Sequence, residues 1–262
     1  MDAGPLRRDN RGHAPRVPNA SLPPCAARRM SAPSTDLLLL PGLLNDEALW
    51  AAQIEALSAE VRCHVGDLTT ADTLEAVADA VLAAAPPRFA LAGFSLGGYV
   101  AQQILRVAPE RVERLALLDT STRADTPERT AQRQALASGA RVPGTFHGFG
   151  EKLMRSYVAP SHLHDHALLD YIRTMTARVG AQAFARQSLL ARPDGSDVLR
   201  AWRGPLLVLW GAQDAITPPA LHHEMLALAP QGHAVEVPDC GHLSPLEQPQ
   251  AVTHALRRWL AD

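Results

Sequence analysis

The chain has 262 residues, 47% of them hydrophobic, and its 25 Lys and Arg against 27 Asp and Glu give a formal net charge of −2. A near-neutral chain without basic runs or interleaved aromatics excludes an ordinary nucleic-acid-binding surface. Its longest apolar runs, DLLLLPGLL and GPLLVLWG, fall well short of the roughly 20 residues a bilayer span needs. Three cysteines, Cys25, Cys63 and Cys240, with no metal-type spacing argue against a disulfide framework, so a cytoplasmic setting is expected.

In chain order, residues 1–30 are rich in Pro and Arg, lack an apolar signal-peptide region and are expected to be disordered; Met30 reads as a natural start. Strands follow at 36–41 and 61–65, and Leu74, Val77, Ala78, Val81 and Leu82 recur at helical spacing. RFALAG is the next strand. After it comes a helix with Val100, Ala101, Ile104, Leu105 and Ala108 on one face and Pro109 as its stop. RLALLDT (114–120) is another buried strand, and GPLLVLWG and HAVEVPD follow after a gap. A final amphipathic helix carries Val252, Ala255, Leu256, Trp259 and Leu260.

Short, nearly all-apolar strands separated by helices predict an α/β fold with a mostly parallel, doubly wound sheet covered on both faces. Residues 31–120 and 204–262 supply this core. The sheet pattern is broken once, at 121–203, where Arg, His and aromatics replace β-branched runs. That segment predicts an inserted helical cap.

Open parallel sheets place their sites at the carboxyl ends of strands. Ser95 directly follows RFALAG, within GFSLGG, where Gly93, Gly97 and Gly98 leave room for a sharp strand-turn-helix and an exposed hydroxyl. A serine hydroxyl needs a base and a group that orients the base. Asp214 lies just past the LLVLWG strand and His242 in the loop after the last strand, in the order Ser, Asp, His. Asp119, also at a strand end, is the rival acid. The backbone N–H of Leu96, at a helix start, supplies one oxyanion donor, and that of Leu43, in PGLLND, is chosen as the second.

With PGLL, GFSLGG, LWGAQDAITP and DCGHLSPLEQP in this order over residues 36–262, the chain resembles the α/β-hydrolase fold superfamily. It is similar to small capped serine esterases, including carboxylesterases and the carrier-protein methyl esterase of biotin synthesis. Pro41 stands where many relatives have histidine, which leaves the backbone donors intact. The resemblance implies a serine hydrolase cleaving a carboxylic ester or thioester through Ser95, His242 and Asp214, with an acyl-enzyme intermediate and no metal or organic cofactor. Similar triads also serve cofactor-free perhydrolases, lactonases and carbon–carbon bond hydrolases, and some relatives are non-catalytic small-molecule receptors.

Residues 121–203 hold twelve basic against seven acidic residues, a net +5. Such a cap either attracts an anionic substrate, such as an acyl group on an acidic carrier, or simply solvates its helices with arginine. The string HLHDH (162–166) is one residue short of a binuclear zinc motif and reads as a polar turn. His222 and His223, after a Pro-Pro pair, are expected to face solvent. Cys240 reads as a small buried hydrophobe, and Met154, Phe146, Phe149, Tyr157 and Tyr171 as cap core.

Overall fold

The computed structural model describes residues 1–4, 35–142, 144 and 146–262. The expectation of disorder over 1–30 falls almost entirely outside the described residues. Among the described residues six strands form one sheet: β1 (Thr35–Leu40), β2 (Val61–Val65), β3 (Phe89–Phe94), β4 (Val112–Leu118), β5 (Leu206–Gly211) and β6 (His233–Val237). Their order is β2-β1-β3-β4-β5-β6, and every neighbouring pair is parallel. The α/β doubly wound fold expected from the sequence is therefore the fold found.

Period-two alternation divides the central strands between two cores. Leu37, Leu39, Ala92, Phe94, Leu118 and Leu209 point to one face, where α1 (Ala51–Leu57) and α10 (Pro249–Ala261) pack with Trp50, Leu57, Leu256 and Trp259. Leu38, Leu40, Leu91, Leu117, Val208 and Trp210 point to the other, against α2 (Leu74–Ala84) and α3 (Leu96–Val107). Each fully buried Leu or Phe contributes about 2 kcal/mol. The edges are polar: Asp36 pairs with Arg62 and His64 at the β2 side, and β6 leaves His233, Ala234 and Glu236 exposed, which discourages edge-to-edge pairing.

Local chemistry sets the helix ends. The Thr73 side chain accepts the Ala76 N–H at 3.1 Å at the start of α2. Thr126 caps Arg129 while Pro127 occupies the first turn of α4 (Pro127–Ala140). Between β4 and β5 the chain is helical: α4 is followed by α5 (Glu151–Tyr157), α6 (His166–Leu189) and α7 (Ser196–Ala201). Helix α6 is broken at Gly180 (φ 86°, ψ 167°), a conformation essentially confined to glycine. Beyond β5 come α8 (Pro219–Leu228) and the short α9 (Ser244–Glu247).

Two expectations are corrected. β4 stops at Leu118, before the expected end at 120, because Asp119 turns into the left-handed region at φ 45°. His222 does not face solvent: it is fully buried on α8 and stacks on Trp210, with ring centroids 5.2 Å apart and planes 16° from parallel.

Candidate active site

The turn between β3 and α3 puts Ser95 at φ 51° and ψ −112°, a strained geometry for a residue with a side chain. It is held open by its surroundings. Ser95 N–H donates to Leu118 O at 2.9 Å, and Thr120 Oγ1 donates to Ser95 O at 2.8 Å, so the end of β4 and the residues just after it clamp the turn from both sides. A Cβ on Gly93 would lie 2.5 Å from the Gly97 carbonyl oxygen, and one on Gly97 would lie 2.7 Å from both the Leu40 carbonyl carbon and the Pro41 oxygen. The second contact shows that the chain leaving β1 toward Leu43 lies against the start of α3.

The structure brings Ser95, His242 and Asp214 into one line of hydrogen bonds. Ser95 Oγ is 2.9 Å from His242 Nε2, and His242 Nδ1 is 2.8 Å from Asp214 Oδ2. Asp214 also accepts Thr217 Oγ1 at 2.6 Å, Ile216 N–H at 2.8 Å and Thr217 N–H at 2.9 Å. Burial alone would raise its carboxyl. The charge of His242 and the hydrogen bonds from His242 and Thr217 outweigh burial and hold it below the ordinary carboxylate range. An ionised Asp214 can only accept, which assigns the proton of the imidazole to Nδ1 and leaves Nε2 free to accept the Ser95 hydroxyl.

Asp119 does not touch His242. Its carboxyl is fully buried, accepts Gly211 N–H at 2.9 Å and meets the Ser244 hydroxyl. Burial, reinforced by the Asp214 charge, pushes its carboxyl well above the usual carboxylate range.

His242 is positioned by groups to which the sequence reading gave no role in the site. Its N–H donates to Tyr157 O at 2.7 Å, and the Tyr157 ring meets its imidazole edge-on at 5.0 Å, with Phe94 on another side at 5.3 Å. The buried Glu247 accepts the N–H groups of Gly241 at 3.1 Å and Leu243 at 3.0 Å, the residues on either side of His242. The same carboxylate accepts Ala159 N–H at 2.7 Å and contacts His162 Nδ1 at 3.1 Å. The helical segment between β4 and β5 is thus fastened to the histidine loop. In the HLHDH string, His162 takes this contact, Asp165 caps Leu168 N–H at 3.0 Å, and residues Pro160–His164 form the expected turn. Among the described residues no three His, Cys, Asp or Glu side chains are grouped to hold a metal.

Leu96 is the first residue of α3, so its N–H has no intrahelical acceptor. Leu43 lies in a turn closed by Asn45 N–H to Gly42 O at 3.2 Å, and among the described residues its own N–H has no acceptor. Leu44, next to it, has φ 58° and donates its N–H to Gln187 Oε1 at 2.9 Å. Cys240 is fully buried, and burial pushes its thiol far up, as suits a small hydrophobe. Phe149 and Met154 are buried, whereas Tyr171 is 42% exposed and donates its hydroxyl to Ala48 O at 2.9 Å, correcting its expected place in the core. Part of the arginine excess of residues 121–203 meets carboxylates of the rest of the chain: Arg178 meets Asp46, Arg186 meets Asp72 and Arg123 meets Glu224.

Residues 37–255 match the model of the Alpha/beta hydrolase family. The chain belongs to the alpha/beta hydrolase family. A pimeloyl-[acyl-carrier protein] methyl ester esterase from Aromatoleum aromaticum is 30% identical over 234 residues, covering 82% of this chain and 94% of that protein. Among solved structures, a thermophilic esterase from Thermogutta terrifontis, with malate bound, superposes with TM-score 0.78 at 34% identity, over 88% of this hydrolase and 91% of that chain. An enol-lactonase from Burkholderia xenovorans shares the fold, with TM-score 0.77 at 24% identity over 88% and 92% of the two chains. Among the described residues, no helix of the hydrolase is long and apolar enough to cross a membrane.

Proposed function

We propose that this hydrolase cleaves a carboxylic ester or thioester by nucleophilic catalysis, with residues 121–203 acting as a cap over the site. The observation that carries the reading is the unbroken line from Ser95 Oγ through His242 to Asp214, at 2.9 and 2.8 Å. His242 Nε2 takes the hydroxyl proton as Ser95 Oγ bonds to the acyl carbon, and Asp214 stabilises the imidazolium that results. The backbone N–H groups of Leu96 and Leu43 receive the oxyanion, each such donor contributing about 3 kcal/mol to lowering the barrier. Collapse expels the alkoxide or thiolate, which leaves with the proton from His242. Water, deprotonated by His242, then attacks the acyl-enzyme, and the carboxylic acid departs with Ser95 Oγ reprotonated. No step calls on a cofactor.

The test is hydrolysis of p-nitrophenyl esters from acetate to decanoate by wild type and Ser95→Ala. Turnover that disappears with the substitution supports the reading, and equal rates in both proteins would sink it. Labelling of Ser95 by a serine-directed phosphonate without ester turnover would move a non-catalytic receptor to the front. The methyl esterase relative acts on an acyl-carrier ester, and a carrier-borne acyl group is the narrower form of the proposal here. Because Arg123, Arg178 and Arg186 are matched by acids of the body, attraction of an acidic carrier rests on the remaining basic residues. A kcat/KM toward such a substrate that is unmoved by ionic strength would remove this narrower form.

A further inference from the structure

Helix α6 lies along the turn that follows β1 and touches it three times in antiparallel order. Tyr171 donates to Ala48 O at 2.9 Å, Arg178 reaches Asp46 at 2.8 and 3.0 Å, and Gln187 accepts Leu44 N–H at 2.9 Å. The first two contacts are exposed. Gln187 is fully buried, and its amide is satisfied at both ends, Oε1 by Leu44 N–H and Nε2 by Leu68 O at 3.2 Å. Leu44 N–H can only donate and Leu68 O can only accept, so the orientation of the amide is forced. Leu44 holds φ 58° with its side chain fully buried, a backbone state that a branched residue keeps only when its surroundings impose it. From outside the turn, the Gln187 carbonyl oxygen accepts the Leu44 N–H, and the Leu44 side chain packs in the core.

We infer that Gln187, on the helical insertion, is a positioning residue for the oxyanion turn: by fixing the Leu44 peptide it aims the neighbouring Leu43 N–H toward the acyl oxygen. The inference rests on the esterase reading and deepens it. Without the Gln187 acceptor, the buried Leu44 N–H has no partner, and the turn relaxes to recover one from solvent or from its own carbonyls. The Leu43 donor then moves with it. Because that donor acts on charge that develops only in the transition state, the loss falls on kcat rather than KM. The Ser95–His242–Asp214 line shares no hydrogen bond with Gln187, so the proton chemistry is left in place.

The experiment compares full-length wild type, Gln187→Met and Gln187→Glu with p-nitrophenyl butyrate from pH 5 to 9, together with thermal unfolding and inhibition by a trifluoromethyl ketone, whose adduct carries an oxyanion. Gln187→Met keeps the length of the side chain and removes the acceptor. It should lower kcat about ten- to a hundredfold, a displaced donor costing up to what a deleted one does. KM should stay within about threefold, the pH midpoint of kcat should not move, and the ketone should bind weaker by about the same factor as kcat/KM. A purely structural role would lower the unfolding temperature and leave those ratios alone. Gln187→Glu keeps an acceptor for Leu44 N–H in either protonation state and loses only the donor to Leu68 O, so its kcat should stay closer to wild type than that of Gln187→Met. A folded Gln187→Met enzyme with wild-type kcat and ketone affinity overturns the inference. If Gln187→Met does not fold, Gln187→Asn, whose amide is one methylene too short to reach Leu44 N–H, serves in its place, and wild-type kcat and ketone affinity in that folded variant overturn the inference equally. Wild type that turns over no ester strikes the esterase reading instead, so the two failures are distinct.

Discussion

His222 is the buried titratable group whose cost can be worked out most directly. The ring is fully buried, lies flat on Trp210 at 5.2 Å, and neither of its nitrogens makes a hydrogen bond among the described residues. Burial pushes its pKa down to about 4 from an ordinary 6.5, with the Asp214 carboxylate pulling weakly the other way. The unfolded chain therefore takes up a proton near pH 6.5 while the folded one refuses it until about pH 4. Stability from this residue is complete above pH 6.5 and is lost as pH falls through that window, at about 1.4 kcal/mol per unit. Over the whole window the loss is about 3 kcal/mol, and by pH 5 it is about 2 kcal/mol. His222→Phe keeps a flat ring against Trp210 and cannot titrate. Urea unfolding of both proteins at pH 7.5 and pH 5, followed by tryptophan fluorescence, isolates the effect, since every other group cancels in the difference. The variant should gain about 2 kcal/mol on wild type between the two pH values. A difference between the proteins that is the same at both pH values would refute the reasoning.

Three further outcomes follow from the site. Asp214→Asn should lower kcat by about 10⁴, as loss of the orienting acid does elsewhere, while Asp119→Asn, at a side chain that bonds Gly211 N–H and Ser244 rather than His242, should leave kcat within about tenfold; steady-state kinetics on one ester checks both. Gly97→Ala should abolish measurable turnover, because the new Cβ meets the Leu40 and Pro41 backbone rather than a movable side chain, and circular dichroism tells whether the fold survives it. Glu247→Gln places an NH₂ among the N–H groups of Gly241, Leu243 and Ala159, leaving at least one of them unpaired. It should cost about 1–3 kcal/mol of stability in denaturant titration and lower kcat with it.

What could be read in the sequence followed from residues whose local chemistry is decisive. β3 and β5 are unbroken apolar runs and β1 ends on four leucines, so their existence and burial were legible, and the glycines around Ser95 announced a close backbone approach that the structure contains. Ser95, Asp214 and His242 could be placed at strand ends because turn residues follow each run. The end of β4 was misjudged because nothing local says that Asp119 leaves the strand at φ 45°. His222 looked solvent-facing because its partner, Trp210, lies on a neighbouring element. Gln187 was invisible for the same reason, since a lone polar residue on a helix carries no mark of a backbone N–H that reaches it across 143 residues of chain, and Glu247, although it lies within DCGHLSPLEQP, carried no mark of the Ala159 N–H 88 residues away.

The placement of the insertion between β4 and β5 also has a consequence for synthesis. As the chain emerges, β1 to β4 are complete while the partner of β4 waits until four helices have been made. The exposed border of β4, with Leu115 to Leu118 destined for β5, is then an open template for pairing with another nascent chain. Contacts that span such distances form slowly. Yield in a cell should therefore depend on how fast residues 121–203 are translated, and slowing that stretch with rare codons should divert protein into aggregates without altering the activity of the molecules that fold.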